Sequence, residues 1–481
     1  MRRTKGHAAS ICLLALVLAG FRSAEAAVNP GADQNRFSAE PDPLRTEDFP
    51  ARPRPLLELG DHFLGPGNLQ RGFTLPSGAV WSPNLWVFGT LRSAVQTFDQ
   101  VERTAVSRTT EWANRLDLYA NLQLTATERF LVGWRPVDEN GTRYTGYQFE
   151  PLDSPHNGHR GFIEAYDGTP RTFFFEGELG EIFPRLDQAD RRNWDYGFAV
   201  GRQPLTLQDG ILVNDDSVDM ISVTRNSLNI PGGSTLRLSS YFAWDKIERH
   251  DPVRGRNVQD SDAQMVGLNA AADFSLSTVD ADILYVNSSN NGEGFYAGIG
   301  SNQRLGKINT VFRINTSVAI ERESAKVRNG TLLFGEVSFT PSYGDDLVYL
   351  NGFWGIDEFS SADRSPTAGG PLGRVGILNA AVGLGRYPAP LSDQSAYAAG
   401  GNIGYQMFFG ELRRRQVILE IGGRAPTRSP ASLLQQPSAG VGVRYQQAIG
   451  QRVVLILDTF GVTRVHGGES YGGRCEFLVK F

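Results

Sequence analysis

The sequence is poor in three things: long apolar runs, cysteine and lysine. After the first 26 residues, no stretch holds the roughly 18–20 consecutive apolar residues that a membrane-spanning helix needs. Two Cys in 481 residues exclude a disulfide-stapled secreted scaffold. Only five of the 47 basic residues are Lys, so Arg carries nearly all the positive charge. Acidic residues number 52, and this balance gives no indication of a nucleic-acid partner.

The N-terminus has the pattern of a secretory signal peptide over residues 1–26. Arg2, Arg3 and Lys5 form a positively charged start, and an apolar core at 11–19 is too short to span a bilayer. Residues 24–26 form a small-x-small cleavage site, so the mature chain is expected to begin at Ala27.

The next segment, residues 27–80, is rich in Pro and charge. We interpret 27–55 as a poorly ordered periplasmic tail. Two readings remain open for 56–80: a plug-like segment, or the lead into a first strand.

From Asn84 to the end, apolar and polar residues alternate with a period of two. Over 115–124, Leu and Ala alternate with Arg115, Asp117 and other polar residues. A two-residue period predicts β-strands rather than helices. The same pattern recurs at 235–245, 266–275, 308–321 and 452–458.

These strands are expected to form one closed transmembrane barrel over residues 81–481. They are longer than the 5–6 residues usual in soluble sheets, and lipid tolerates no open sheet edge. The fold class is therefore all-β: a transmembrane antiparallel β-barrel with short periplasmic turns and long outer loops. Strands counted forward from Asn84 and backward from the last strand give the same total, 18, only if 357–396 is one outer loop. The strand-like stretch 376–386 should therefore not span the membrane.

The last strand has a pattern that favours insertion into the bacterial outer membrane. Cys475, Phe477 and Val479 alternate with charged or apolar neighbours, and the chain stops at Phe481. Such an ending is similar to the assembly signal of bacterial outer-membrane proteins. The expected partners are the barrel-assembly machinery, outer-membrane lipid and lipopolysaccharide, and small solutes; the oligomeric state stays open.

A barrel of 16–18 strands leaves an aqueous lumen, so function should depend on what lines that lumen. Arg presents a planar, permanently charged group suited to carboxylates. Two readings of the lumen charges were weighed: they set selectivity, or they pair with one another and only solvate the wall. Strand parity predicts these pore-lining residues: Arg115, Asp117, Arg129, Asp195, Arg237, Asp245, Arg313, Glu336, Glu420, Arg444, Asp458 and Glu476.

Two loops, 137–170 and 357–396, are long enough to narrow such a lumen by folding inward, or to lie outside its mouth. The second is rich in Gly and carries apolar residues, which favours a packed loop.

Catalytic and metal-binding patterns are scarce. His156 and His159 lie three residues apart without further ligands at zinc spacing, and the remaining His are isolated. Residues 300–307 end in Gly-Lys but have neither the spacing nor the Ser/Thr of a phosphate loop. No enzyme activity, metal or cofactor is expected.

One stretch resembles a known family. Residues 196–205 (YGFAVGRQPL), 208–212 (QDGIL) and 217–223 (SVDMISV) resemble the strand-loop-strand of the alginate-export-like outer-membrane porins. The resemblance covers about 30 residues and implies an 18-stranded barrel with an Arg-rich lumen that passes anionic polymers or small solutes. Ile211 stands where that family usually has Arg, and Ser217 where it has Phe.

The sequence therefore predicts an outer-membrane porin-like channel for passive diffusion of small hydrophilic solutes, including anionic ones. Three alternatives remain: an export conduit for an anionic polysaccharide, an outer-membrane hydrolase, and a structural barrel with a plugged lumen.

Overall fold

The computed structural model describes residues 53–63, 72–101, 106–150, 160–187, 194–342, 344–430 and 432–481. The predicted signal peptide and the tail as far as residue 52 lie outside these ranges. Among the described residues, no helix is long and apolar enough to cross a membrane.

Eighteen long strands within the described ranges form one antiparallel sheet that closes on itself, as predicted. They are β1 Asn84–Val101, β2 Val106–Gln123, β3 Arg129–Trp134, β4 Pro170–Glu178, β5 Tyr196–Leu207, β6 Val213–Leu228, β7 Thr235–Asp245, β8 Gln264–Asp273, β9 Ser277–Asn287, β10 Gly294–Leu305, β11 Ile308–Ala319, β12 Gly330–Phe339, β13 Leu347–Asp357, β14 Ala398–Phe409, β15 Arg415–Pro426, β16 Ser438–Ile449, β17 Val453–Arg464 and β18 Gly468–Lys480. Each pairs with the next along the chain, and β18 pairs with β1 in the register Lys480↔Thr90 to Gly472↔Phe98.

The remaining described elements are short. Further strands are Leu57–Leu59, Phe73–Thr74, Val80–Trp81, Asp138–Glu139, Arg143–Tyr144, Gly146–Glu150, Gly161–Ile163, Glu248–Asp251, Arg256–Gln259 and Asp363–Arg364. A helical turn covers Leu179–Ile182, and 3-10 turns cover Pro184–Asp187, Gln208–Gly210, Pro366–Ala368, Glu411–Arg413 and Leu433–Gln435.

The two ends of the barrel differ in their connections. One end, the turn end, joins strands through short turns such as 306–307 and 450–452, and carries one longer connection at 179–195. The other, the loop end, carries 135–169, 246–263, 320–329, 358–397 and 427–437. The prediction that 376–386 does not span is confirmed. The loop-end connection at 465–467 has only three residues.

Residues 56–63, left open by the sequence, lie along the wall. Leu57–Leu59 pairs with Leu85–Val87 of β1, beyond the point where β18 ends. The indole N–H of Trp86 donates to the carbonyl oxygen of Asp61 at 2.8 Å. This segment therefore continues the strand position of β18 at the turn end.

Alternation gives the barrel two faces of opposite character. Outward residues such as Leu268, Ile299, Ile314 and Leu419 are large, apolar and exposed. An apolar surface this continuous exceeds what a soluble monomer usually exposes. The buried core lies inside the barrel, toward the loop end, and includes Leu212, Leu284, Tyr296, Phe359 and Leu372.

Candidate functional site: the lumen constriction

A ladder of alternating charges crosses the inner wall of the barrel. We define the charge ladder as Arg444, Asp458, Arg474, Glu476 and Arg92, which lie on the neighbouring strands β16, β17, β18 and β1. Nε of Arg444 lies 2.6 Å from Oδ1 of Asp458, and Nε of Arg92 lies 2.7 Å from Oε1 of Glu476. Arg474 donates to both acids. Inward positions on adjacent strands thus satisfy one another's charges.

The pairing of charges continues across β2. Arg115 is in register with Arg92, and its Nε lies 2.9 Å from Oδ2 of Asp117. Arg135, after β3, reaches Asp117 at 2.8 Å and Asp216 at 2.6 Å. This second set joins the wall to the start of β6.

These arginines hold a loop inside the lumen. Loop 358–397, called here the inward loop, has its carbonyl oxygens at Val382 and Gly383 bound by Arg92 and Arg115, each at 3.1 Å. From β15, the Glu420 carboxylate accepts the backbone N–H groups of Ile377 and Leu378 at 2.9 Å. The loop therefore folds inward rather than lying outside the mouth.

A second inward segment is the tip of the β5–β6 hairpin, residues 205–217, called here the hairpin tip. Gln208, Asp209 and Gly210 all have positive φ (52°, 53° and 82°), a left-handed run that reverses the chain tightly. A Cβ at Gly298 or Gly300 of β10 would strike the Gln208 side chain, so these glycines leave room for the close approach.

A buried arginine of β11 holds the hairpin tip in place. Arg313, the sixth residue of β11, has a side chain only 2% exposed. Its guanidinium lies 2.6 Å from Asp209, 2.9 Å from Asp280 of β9 and 3.1 Å from the side-chain oxygen Oε1 of Gln208. The tip consequently reaches about half-way down the lumen.

The two inward segments are joined directly. Val213 and Asn214 pair in parallel with Asp363 and Arg364. Arg364 is fully buried, and its guanidinium donates to the carbonyl oxygens of Gly210, Ala368, Gly369 and Gly370 rather than to a carboxylate. Burial lowers the pKa of Arg364 to about 10, so the group stays cationic near neutral pH.

Among the described residues, few charged side chains are exposed where the hairpin tip meets the inward loop. Within loop 358–397, Arg374 is the one exposed residue, and it lies where a Cβ on Gly210 would meet its Cδ at 2.9 Å. Asp209, on the tip, keeps 59% of its side chain exposed while bound to Arg313. Arg374 and Asp209 thus present opposite charges where the two inward segments meet, here called the constriction.

Three further predicted residues take no part in the charge ladder. Arg237 of β7 is exposed and makes no ion pair within the described part of the chain. Glu336 of β12 is half-buried and within electrostatic range of Asp209 and Glu420. Arg129 pairs with Glu176 at 2.6 Å and lines a cavity of about 530 Å³ in the turn-end half.

Two predicted residues lie outside the regular alternation. Asp195 precedes β5 at the turn end, where its carbonyl oxygen accepts from Arg225 at 2.8 Å. Asp245 pairs in register with Asp219 across a bulge that skips Trp244. Because the bulge breaks the period, strand parity alone does not place Asp245 on the inner face.

Arg202, the arginine of the resembling motif, faces outward beside Val200. Its guanidinium is bound by Asp219, Nε to Oδ1 and Nη2 to Oδ2 both at 2.8 Å. A third N–H donates to the carbonyl oxygen of Pro170. This bidentate ion pair neutralises the charge of Arg202, which would otherwise lie unpaired on the outer face of the barrel.

Comparison with solved structures assigns the architecture. The outer membrane protein opdK of Pseudomonas aeruginosa aligns with a TM-score of 0.51 at 12% identity, over 82% of this chain and 98% of that chain. A BenF-like porin from Pseudomonas fluorescens Pf-5 gives 0.50 at 14%, with coverages of 82% and 98%. OccK5 (OpdH) of P. aeruginosa gives 0.50 at 9%, with the same coverages. The chain has the fold of these outer-membrane porins.

No protein-family model matches the chain, and no curated protein matches its sequence. The narrower resemblance to alginate-export-like porins is therefore without support from these comparisons. Within the described ranges, no group of three or more His, Cys, Asp or Glu is placed to hold a metal ion.

Sequence reasoning missed Arg374, Asp209 and the hairpin tip. Arg374 belongs to no spanning strand, so parity could not select it. Residues 211–213 did contain a signal, because Ile211, Leu212 and Val213 are three consecutive apolar residues that break the alternation. Such a run is typical of a segment buried on both faces.

Proposed function

We propose that this protein is a channel of the bacterial outer membrane for passive diffusion of small hydrophilic solutes, with a preference for anions. The observation that carries the proposal is the exposed Arg374 at the constriction of a closed barrel whose outer wall is apolar. Selectivity in such channels depends on pore radius and lining charge. The proposal requires no chemical step and no cofactor.

Orientation and assembly belong to the same proposal. The turn end faces the periplasm and the loop end faces outward, as is usual for such barrels. The outer wall contacts lipid and lipopolysaccharide, and the strand ending at Phe481 is recognised by the barrel-assembly machinery.

The neighbouring structures add support for a carboxylate as solute. P. aeruginosa OpdK has been crystallised with vanillate, a carboxylate, and it shares this fold at 12% identity and a TM-score of 0.50. A guanidinium exposed in a confined lumen binds a carboxylate through two parallel hydrogen bonds.

Export of an anionic polysaccharide is the weaker alternative. It would need arginines exposed along the lumen, as the resemblance to the alginate-export-like porins implies. In this chain Arg92, Arg115, Arg444 and Arg474 are at most 20% exposed and are paired with acids. The charge ladder therefore supports the loop more than it supports a polymer path.

Charge reversal at the constriction tests the proposed selectivity. Arg374→Glu should lower the ratio of anion to cation permeability several-fold, measured as the reversal potential in a KCl gradient across a planar bilayer. Arg322→Glu is the matched control, because Arg322 is exposed on loop 320–329 and makes no ion pair within the described residues. Equal reversal potentials for Arg374→Glu and the unsubstituted chain would remove Arg374 from the selectivity mechanism.

A further inference from the structure

Three buried carboxyl groups meet where four loop-end segments come together. Asp215 belongs to the hairpin tip, Glu248 to loop 246–263 and Asp363 to the inward loop, and they are 2%, 3% and 0% exposed. Asn140 approaches from loop 135–169. We call Asp215, Glu248 and Asp363 the carboxyl cluster.

Each member of the carboxyl cluster has only one of its two oxygens satisfied by an N–H group. Oδ1 of Asp215 accepts from the Ser217 N–H at 2.8 Å, and Oδ1 of Asp363 accepts from the Glu248 N–H at 2.7 Å. Oε1 of Glu248 accepts from Asn140 at 3.3 Å. The second oxygen of each group is buried and has no N–H or O–H donor.

No cation of the described chain pairs with this cluster. Arg135 is engaged by Asp117, Asp138 and Asp216, and Arg364 donates to backbone carbonyls. The other charges nearby, Asp216 of β6, Arg171 of β4 and Lys326 of loop 320–329, act on the cluster without an ion pair to it. Three buried anions without a counter-ion would be costly.

Protons bound by the carboxyl groups, rather than a cation, remove this cost. The Asp215 and Asp363 side chains are close enough to hydrogen-bond each other, and two carboxyl groups can do so only when one is protonated. This contact lies beside the parallel pairing of Val213 with Asp363, where the hairpin tip meets the inward loop.

We propose that the carboxyl cluster is a proton-dependent latch. While it carries protons, it joins the inward loop to the hairpin tip, and when it ionises, the two segments separate. Ionisation places like charges in contact within a buried site, and the repulsion acts on the junction between the two segments. Release of the inward loop widens the lumen.

The direction of the pH effect follows from the protonation states. Burial, followed by the charge of Asp215, raises the pKa of Glu248 to about 8, and the same causes raise the pKa of Asp363. The latched state binds more protons than the released state between the ordinary carboxyl pKa and about 8, so its stability falls as pH rises through this window. The latch is therefore most stable in acid and weakens progressively as the pH rises toward about 8.

The loop itself can report release, independently of any ion current. A nitroxide label on Arg374→Cys, in a background in which Cys12 and Cys475 are replaced by Ser, occupies an exposed position of the inward loop. In the refolded full-length chain, the spectrum should be immobilised at pH 5.5 and gain a mobile component as the pH is raised to 9. Asp363→Asn, whose amide resembles a protonated carboxyl group, should remain immobilised at pH 9, and so should Glu248→Gln.

Asp346→Asn is the control, because Asp346 lies in the turn-end connection 340–346 and binds Tyr405 and Phe408; it should keep the full pH response. An immobile label at both pH values would overturn the latch, as would an unchanged response in Glu248→Gln and Asp363→Asn. A response to chelator and Ca²⁺ at constant pH, without a response to protons, would overturn it in favour of a metal ion. Loop release without current at any pH would uphold the latch and contradict the proposed channel.

Discussion

At the residue scale, the inner wall contains charges of two kinds. Most are paired and covered by the inward loop, as in the charge ladder, where Arg474 is 3% exposed. A few remain open, chiefly Arg374, Asp209 and Arg237. Parity indicates which side chains point inward, but it carries no information on which of them another segment will cover. Exposure depends on contacts between residues hundreds of positions apart, such as Arg92 with Val382.

Arg364 provides a stability prediction at this scale. Arg364→Met removes the donor shared by four carbonyl oxygens, of which those of Gly210 and Gly370 accept buried hydrogen bonds. The free energy of unfolding should fall by about 3 kcal/mol, since each unsatisfied buried group costs about 1–3 kcal/mol. The measurement is the temperature midpoint of the heat-induced mobility shift in detergent electrophoresis. Arg374→Met is the control and should leave the midpoint unchanged. Equal midpoints for both variants would show that Arg364 does not secure the inward segments.

At the element scale, the strands were predictable and the inward segments were only partly so. Alternation over residues such as 115–124 indicates a strand with one apolar and one polar face. The even strand number, together with the connection lengths, required 357–396 to be a single loop. The hairpin tip was not predicted, because a five-residue connection at 208–212 looks like an ordinary turn. Its inward course is set by Arg313, Gly298 and Gly300, which are distant in sequence.

The seam between β18 and β1 gives a prediction about assembly. The Phe481 N–H donates to the Gly89 carbonyl oxygen at 3.0 Å, and the Gly89 N–H donates back at 2.7 Å, so Phe481 extends the β18–β1 seam by one residue pair. Deleting Phe481 removes both hydrogen bonds and the aromatic ring above Gly89. The amount of heat-modifiable, folded protein in the outer membrane should fall several-fold.

Lys480→Ala is the control for this deletion, because Lys480 is exposed and its substitution keeps the terminal Phe. Equal folded yields for the deletion and the control would mean that closure of the seam does not depend on Phe481.

At the scale of the whole molecule, an apolar outer wall surrounds an interior that is partly a packed core and partly a polar lumen. Modest mean hydropathy (−0.28) is what such a molecule gives, because outward and inward residues offset each other. The inward loop and the hairpin tip meet at the constriction, and the proposed channel depends on the space that they leave. A channel of this kind should conduct ions, and its conductance should be limited by the inward loop.

The most direct measurement is single-channel conductance of the purified, refolded chain in a planar bilayer, beside a variant in which residues 366–391 are replaced by a short Gly-Ser linker. Discrete openings are expected for the full chain, with a conductance several-fold higher for the shortened variant. Heat-modifiable mobility verifies that both barrels are closed. Absence of current from both closed barrels would contradict the channel, and equal conductances would contradict the inward loop as its constriction.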